Sequence, residues 1–261
     1  MHPAFARTDH RPWPLPSTRH HWRQSWHDLM FAHWRIDAAA LRPLVPDALE
    51  VQEWDGSSWI AVVPFRMTDV MLRRLPSLPW VSAFPELNVR VYVEHDGRPG
   101  VYFFSLDAGN PLAVWAARRF FHLPYFWSRM SIVERSFGEE SGGEVGEYRY
   151  ASERRRGEHA ARFEATYRPT GGVFEAEPGT LEHWLTERYA LYTTAPDGRL
   201  FVGHIHHAPW PLQRAATTID ADGLLASHGL SVAGEPESVL FAKRIDVAVW
   251  NLSEVGRVRG A

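Results

Sequence analysis

The stretch from Glu86 to Ala108, ELNVRVYVEHDGRPGVYFFSLDA, restricts the fold more than any other part of the chain. Leu87, Val89, Val91 and Val93 alternate with Glu86, Asn88, Arg90, Tyr92 and Glu94, the period of two that a strand imposes on its side chains. HDGRPG supplies turn residues and VYFFSLD returns, which predicts a β-hairpin. The polar face, with Asp107 at the end of the return strand, has two readings. It is a solvated sheet face, or it lines the lumen of a barrel whose apolar side packs on another layer. In the second case its charges are buried and have to pair, and their pKa values move.

Strand signals recur around this hairpin. Residues 29–36 alternate, and WIAVVPFRM (59–67) is an apolar run in which Pro64 marks an edge or a bulge. YRYASERR and ARFEATYRP predict an antiparallel pair, and GRLFVGHIHH and VLFAKRIDVAVWNL read as closing strands. Helix signals are fewer. Asp37 suits an N-cap before AAALRPLV, which Pro46 stops. Asn110-Pro111 opens a helix of about ten residues that ends before Leu123-Pro124. Thr180 caps LEHWLTERYALY, whose Leu181, Trp184, Leu185, Tyr189 and Tyr192 fall on one side. RRLPSLPWVSAFP reads as a Pro-rich connection and FGEESGGEVGE as a polar loop.

Residues 1–24, rich in Pro, His and Arg and without period, predict a poorly ordered arm, and 253–261 a tail. No repeat or linker interrupts 25–252, which reads as one domain. About nine strands and three helices give an α+β, β-rich class, with curved antiparallel sheets forming a barrel and a few flanking helices.

Composition removes several functions. A net charge of -3 argues against a nucleic-acid surface. The absence of cysteine excludes disulfides, thiolate metal sites and cysteine nucleophiles. No apolar stretch is long enough to span a membrane, and the expected location is cytoplasmic. Walker, Rossmann and GxSxG patterns do not occur. Twelve tryptophans and fourteen phenylalanines imply bulky packing and a ring-lined cavity. Lys243 is the only lysine, so any lysine chemistry has one candidate. It is either a catalytic amine on an apolar stripe with Val239, Phe241, Ile245, Val247 and Val249, or a stem lying on apolar surface with its ammonium in water.

Two further constellations carry chemistry. His204 and His206 in HIHH point the same way on a strand, a spacing that suits two metal ligands and equally suits pocket or solvent-facing histidines. Arg118 and Arg119 close a predicted helix, where cations complement the dipole or clamp a carboxylate or phosphate.

Taken together, WHDLMFAHWRI, LRPLVPDALEVQEWDGSSWIAVVPFRM, FPELNVRVYV, PGVYFFSLDAGNPLAVWAARRFFHLPY, PGTLEHWLTERYALY, HHAPWPLQRA and IDVAVW resemble the YqjF-like family of uncharacterised bacterial proteins, in family order from about residue 25 to 252. That family is distantly similar to acetoacetate decarboxylase. The resemblance implies a cone-like barrel with an internal cavity and no cofactor. In decarboxylase-like proteins the segment matching 117–126 carries the Schiff-base lysine. Here Arg118 and Pro124 fit that frame, Arg119 replaces a glutamate, His122 a glycine, Tyr125 the lysine and Phe126 its neighbouring lysine. Glu86 matches a cavity glutamate. A phenol donates or accepts a proton but forms no imine, so decarboxylation of acetoacetate is disfavoured.

The expected function is cavity binding of a small organic anion. Glu86 is the expected base, Arg118 the anchor and Tyr125 the donor or general acid, with Asn88, Arg90, Asp107, Arg119, His207 and Trp210 as binding residues. A non-enzymatic binding or sensing protein has the same cavity without proton chemistry. A metal-assisted hydrolase or lyase would use His204 and His206. The expected partner is a small molecule, with no nucleic acid and no membrane; self-association is left open.

Overall fold

A computed structural model describes residues 2–72, 83–138, 144–154 and 160–258. The strands are β1 (Trp22–Ile36), β2 (Glu50–Val51), β3 (Ser58–Leu72), β4 (Phe84–His95), β5 (Arg98–Ala108), β6 (Tyr125–Trp127) and β7 (Arg129–Gly138), followed by β8 (Glu144–Arg154), β9 (Ala161–Pro169), β10 (Ala190–Thr194), β11 (Arg199–His206), β12 (Leu212–Asp220), β13 (Ser238–Val249) and β14 (Ser253–Arg257). Four short helices accompany them: α1 (Ala38–Leu41), α2 (Pro111–Phe121), α3 (Leu181–Thr186) and α4 (Asp222–Ala226).

The order β11-β10-β5-β4-β3-β1-β13 closes on itself, because Ile205 and His206 of β11 pair with Val249 and Ala248 of β13. The two expected closing strands therefore seal a ring. Beyond β13 the sheet continues as β12-β9-β8-β7. Side chains alternate between two cores. Leu87, Val89 and Val91 of β4 pack with Tyr148, Tyr150, Phe163 and Tyr167 of β8 and β9 outside the ring. Phe31, Val63, Phe65, Val101, Phe103 and Leu106 form a second core within it. The ring-like, strand-rich architecture is the expected one, but among the described residues fourteen strands and four helices replace the nine and three expected, and the sheet is mixed, since β10 and β6 each pair parallel to β5.

Local chemistry explains the main elements. Asp96 and Gly97, both at positive φ, make the two-residue turn of the β4–β5 hairpin. Asn110 caps α2 by accepting from the amides of Leu112 and Ala113, and His122 ends it in the left-handed region. Pro64 lies in a central strand paired on both sides, at a bulge rather than an edge. The β1–β3 register shifts between His27 and Ala32 opposite it, where a missing N–H cannot bond. The helix expected through Tyr192 stops at Thr186. Ala190–Thr194 instead fills the place between β5 and β11, so ring pairing overrides helical periodicity. Gly100 permits this approach, since a Cβ there would stand 2.7 Å from the Ala190 carbonyl oxygen.

Residues 2–21, expected as a poorly ordered arm, lie along β11. Arg11 donates to the Ile205 carbonyl at 2.7 Å, and Phe5 packs beside His206 and Trp250. The expected tail contributes β14, paired to β11. Most of the Pro-rich connection (73–82) and the centre of the polar loop (139–143) fall outside the described residues. Among the described residues, no helix is long and apolar enough to cross a membrane.

Candidate functional site

The polar face of β4 points into the ring. A cavity of about 210 Å³ lies there, lined by Glu86, Asn88 and Arg90 on one strand face and by Phe31, Phe65, Val101, Phe103 and Leu106 around it. Of the two readings of the hairpin, the lumen is the observed one. Trp22 and Trp26 of β1 and Ala113, Ala116, Ala117 and Phe121 of α2 complete much of the wall.

Tyr125 arrives from the opposite direction. The left-handed turn at His122 and the Leu123-Pro124 step reverse the chain after α2, and β6 then runs parallel to β5 with Leu106 facing Tyr125. Leu106 itself pairs with Asn88. The Tyr125 hydroxyl thereby reaches across to Glu86 and donates to its Oε2 at 2.8 Å. Tyr150 fixes the same point of β4 from the outer layer, donating to the Glu86 carbonyl at 2.7 Å.

Burial pushes the Glu86 carboxyl up to about 8, and the negative charge of Asp107 adds to that, while the Tyr125 hydrogen bond pulls the other way. Tyr125 rises well above the usual phenol range through burial and the adjacent carboxylate, so it stays a donor. A carboxyl that titrates near 8 holds its proton at neutral pH. With Oε2 occupied by the tyrosine, Oε1 is the oxygen left to give or take that proton.

At the other end of the stripe stand two buried cations. Arg90 is 8% exposed and spends one N–H on the Leu185 carbonyl, at 3.3 Å; its Nε has no partner. Arg188, in the turn between α3 and β10, lines the same cavity. It donates to the Trp184 carbonyl and to Gln52 Oε1, each at 2.6 Å, and leaves Nη2 unpartnered. Burial lowers it to about 10. Ring faces of Phe31, Tyr92 and Trp184 lie 4.4 to 5.9 Å from the two guanidinium carbons. No carboxylate forms an ion pair with either arginine among the described residues. Buried charge is costly unless paired, and these two guanidinium groups carry that cost on the cavity wall.

The remaining expected site residues lie elsewhere. Arg118 and Arg119 are exposed on α2; the Arg118 guanidinium stands 5.9 Å from the Phe126 ring, outside the cavity. Helical geometry accounts for this. Ala113, Ala116, Ala117 and Phe121 share the inward face, and the next residue after Ala117 is already turned some 100° away. Asp107 is buried behind the wall, ion-paired to Arg154 at 2.7 Å and raised by burial to about 6. His207 stacks on Tyr189 with centroids 4.8 Å apart, and Trp210 stands behind Trp26 and Phe31 with its indole N–H on the Thr186 carbonyl. Both support the wall without lining it.

His206 is engaged on both nitrogens. Nδ1 lies 3.3 Å from Arg11 Nη1 and Nε2 3.1 Å from the Arg7 carbonyl. A guanidinium beside the ring disfavours a second cation, and no cluster of three ligating side chains that could hold a metal forms among the described residues. Lys243 does not belong to the cavity either. Its ammonium bonds Asp28 at 2.8 Å, Glu134 at 3.0 Å and the Tyr148 hydroxyl at 2.7 Å, which drives its pKa up rather than down. The expected apolar stripe breaks at that residue: Phe241 packs in the outer core, Ile245 and Val247 in the inner one. Sequence reasoning missed Arg188, because ERYALY reads as helix and not as the turn that aims it inward.

Comparison with known proteins places these features. The model of the family DUF2071, described as an uncharacterized conserved protein, matches residues 23–246. Uncharacterized protein YqjF of Bacillus subtilis (strain 168) is 44% identical over 230 residues, covering 88% of this chain and 90% of that protein. Among solved structures, the enduracididine biosynthesis enzyme MppR complexed with pyruvate superposes with a TM-score of 0.63 at 15% identity, over 94% of this chain and 93% of that one. An acetoacetate decarboxylase-like enzyme from Sphingomonas wittichii RW1 gives 0.61 at 14%, over 97% and 100%. Acetoacetate decarboxylase from Legionella pneumophila gives 0.57 at 14%, over 95% and 94%. At these identities the likeness is one of fold.

Proposed function

The chain belongs to the DUF2071 family, and from that premise we propose that its cavity binds a small organic anion and exchanges a proton with it. The observation that carries the reading is the Tyr125–Glu86 hydrogen bond, 2.8 Å long and buried, on the wall of a cavity that also holds two arginines without carboxylate partners among the described residues. A fold relative, MppR, was solved in complex with pyruvate, itself a small carboxylate.

Imine chemistry does not fit these walls. The nitrogen-bearing side chains that line the cavity are arginine, asparagine, glutamine and tryptophan, none of which condenses with a carbonyl. The one lysine is ion-paired outside it. What the site offers is acid–base chemistry. A carboxyl titrating near neutrality is mostly protonated, yet the fraction that ionises is a stronger base than an ordinary carboxylate. In the proposed step Glu86 Oε1 takes a proton from carbon beside a ligand carbonyl. The C–H electron pair becomes the C=C bond of an enolate as the carbonyl π pair moves onto oxygen, and the same carboxyl returns the proton to carbon as these shifts reverse. Asn88, two residues along the stripe, lines the same cavity, and its amide N–H is the group there that can donate to the developing charge.

The test is isotope exchange. Oxo-carboxylic acids incubated with the protein in D₂O are followed by proton NMR. Loss of the α C–H signal with wild type, absent with Glu86→Gln, supports the reading. Binding without exchange for every acid tried would remove the chemistry and leave a binding protein.

A further inference from the structure

Glu86 and Arg90 stand on the same face of β4, four residues apart. The bulge in the β4–β5 pairing falls on β5, where Phe104 is the extra residue between Ser105↔Val89 and Phe103↔Arg90, so β4 itself runs regularly. Four residues of extended strand put the two Cα atoms about 13 Å apart. The Arg90 side chain then leans away from Glu86, since its Nη2 donates to the Leu185 carbonyl that Tyr92 also reaches, at 3.0 Å. Arg188 lies at that same end, 5.0 Å from the Tyr92 ring. The cavity therefore has two polar ends, one cationic and one a hydroxyl–carboxyl pair. Between them the walls are mostly aromatic and aliphatic, with Asn88 on the same face of β4.

Resting on the anion-binding reading above, we propose that the ligand is a two-ended, elongated acid: a carboxylate held by Arg90 and Arg188, an apolar body along Phe31, Phe65 and Phe103, and an oxygen function, hydroxyl or carbonyl, at Glu86 and Tyr125. The cavity volume of about 210 Å³ equals the share of about seven waters. That space and the span between the ends fit a chain of about six to ten carbons. Acids as short as pyruvate or acetoacetate satisfy one end and leave the other empty.

The experiment is a titration series on the full chain, read by the fluorescence of Trp22 and Trp26, which line the cavity. The probes are straight-chain acids from acetate to dodecanoate, their ω-hydroxy counterparts, and 1-octanol. Affinity is expected to rise about fourfold per buried methylene, to peak within the medium-chain acids and to fall beyond them. The ω-hydroxyl is expected to add tenfold or more at the optimal length, a gain that Glu86→Gln removes. Arg90→Met is expected to weaken every acid at least tenfold and leave octanol unchanged, with Arg188→Lys as a second variant that keeps the charge and loses the fork. An affinity that does not change with length, or an ω-hydroxyl without effect, overturns the two-ended ligand while the anion site stands. Failure of every acid to bind at any length overturns the anion site as well.

Discussion

Tyr125 donates its hydroxyl to Glu86 Oε2 at 2.8 Å, although the two residues are 39 apart in sequence and lie on strands that do not pair with each other. β5 stands between them, antiparallel to β4 and parallel to β6, and its Leu106 spaces the two side chains across one strand width. The bond joins a group that keeps its proton because it is a buried phenol to one that keeps its proton because burial makes ionisation costly.

That cost has a pH signature. An unfolded glutamate titrates near 4.3, and Glu86 in the folded chain near 8. Between those values the folded state holds more protons than the unfolded one, so this group's contribution to stability is lost as pH rises through the window. Denaturant titrations of wild type and Glu86→Gln between pH 5 and 8 are expected to show wild type losing up to about 1 kcal/mol per pH unit relative to the variant. A stability difference that does not change with pH would place Glu86 in contact with water.

The alternation of β4 was legible in the sequence down to the residues that share a face. Which face is the lumen was not. Ring closure depends on Ile205 meeting Val249 and His206 meeting Ala248, contacts between distant strands that no local pattern announces. The cap at Asn110 was legible, and so in principle was the exclusion of Arg118, since the inward alanines fix the helix phase. Arg188 was hidden because LTERYALY satisfies helical spacing, while the space beside β5 demands a strand from Ala190 onward. The Lys243 stripe misled because alternation changes phase beside Asp28, a residue at positive φ in the bulge of β1.

Arg90 sits in the core with no carboxylate partner among the described residues, and the Leu185 carbonyl that accepts from it is also served by Tyr92. Replacing a buried unpaired charge by an apolar side chain of similar length removes a desolvation cost. Arg90→Met is therefore expected to unfold within about 1 kcal/mol of wild type, or later, when no ligand is present. Urea denaturation checks this; a loss of several kcal/mol would mean that the guanidinium is a structural brace.

Lys243 is the opposite case. Its ammonium bridges Asp28, whose side chain is 2% exposed, to the Glu134 carboxylate. Arg66 also holds Asp28, and the lysine is itself more than half exposed, so the loss is moderated by solvent. Lys243→Met is expected to cost about 1–2 kcal/mol and to leave ligand affinity unchanged. Paired denaturation and binding titrations separate the two effects.

His206 latches residues 7–11 to β11 in its neutral form, with its pKa lowered by burial and by Arg11 to about 4. An unfolded histidine takes up its proton near 6.5. This contribution is whole above that pH and is lost as pH falls towards 4. Limited proteolysis is expected to cut within the first twenty residues faster at pH 5 than at pH 7.5, using a protease active at both. Equal rates would show that the arm is held by its other contacts.

The most direct measurement is the titration of Glu86 itself, by carbon-13 NMR of the side-chain carboxyls with Glu86→Gln to assign the signal. A midpoint near 8 is expected in the wild type, and a higher one in Tyr125→Phe, where the hydrogen bond that favours ionisation is gone. A midpoint between about 4 and 5, unmoved by the tyrosine substitution, would contradict a proton-holding pair on the cavity wall.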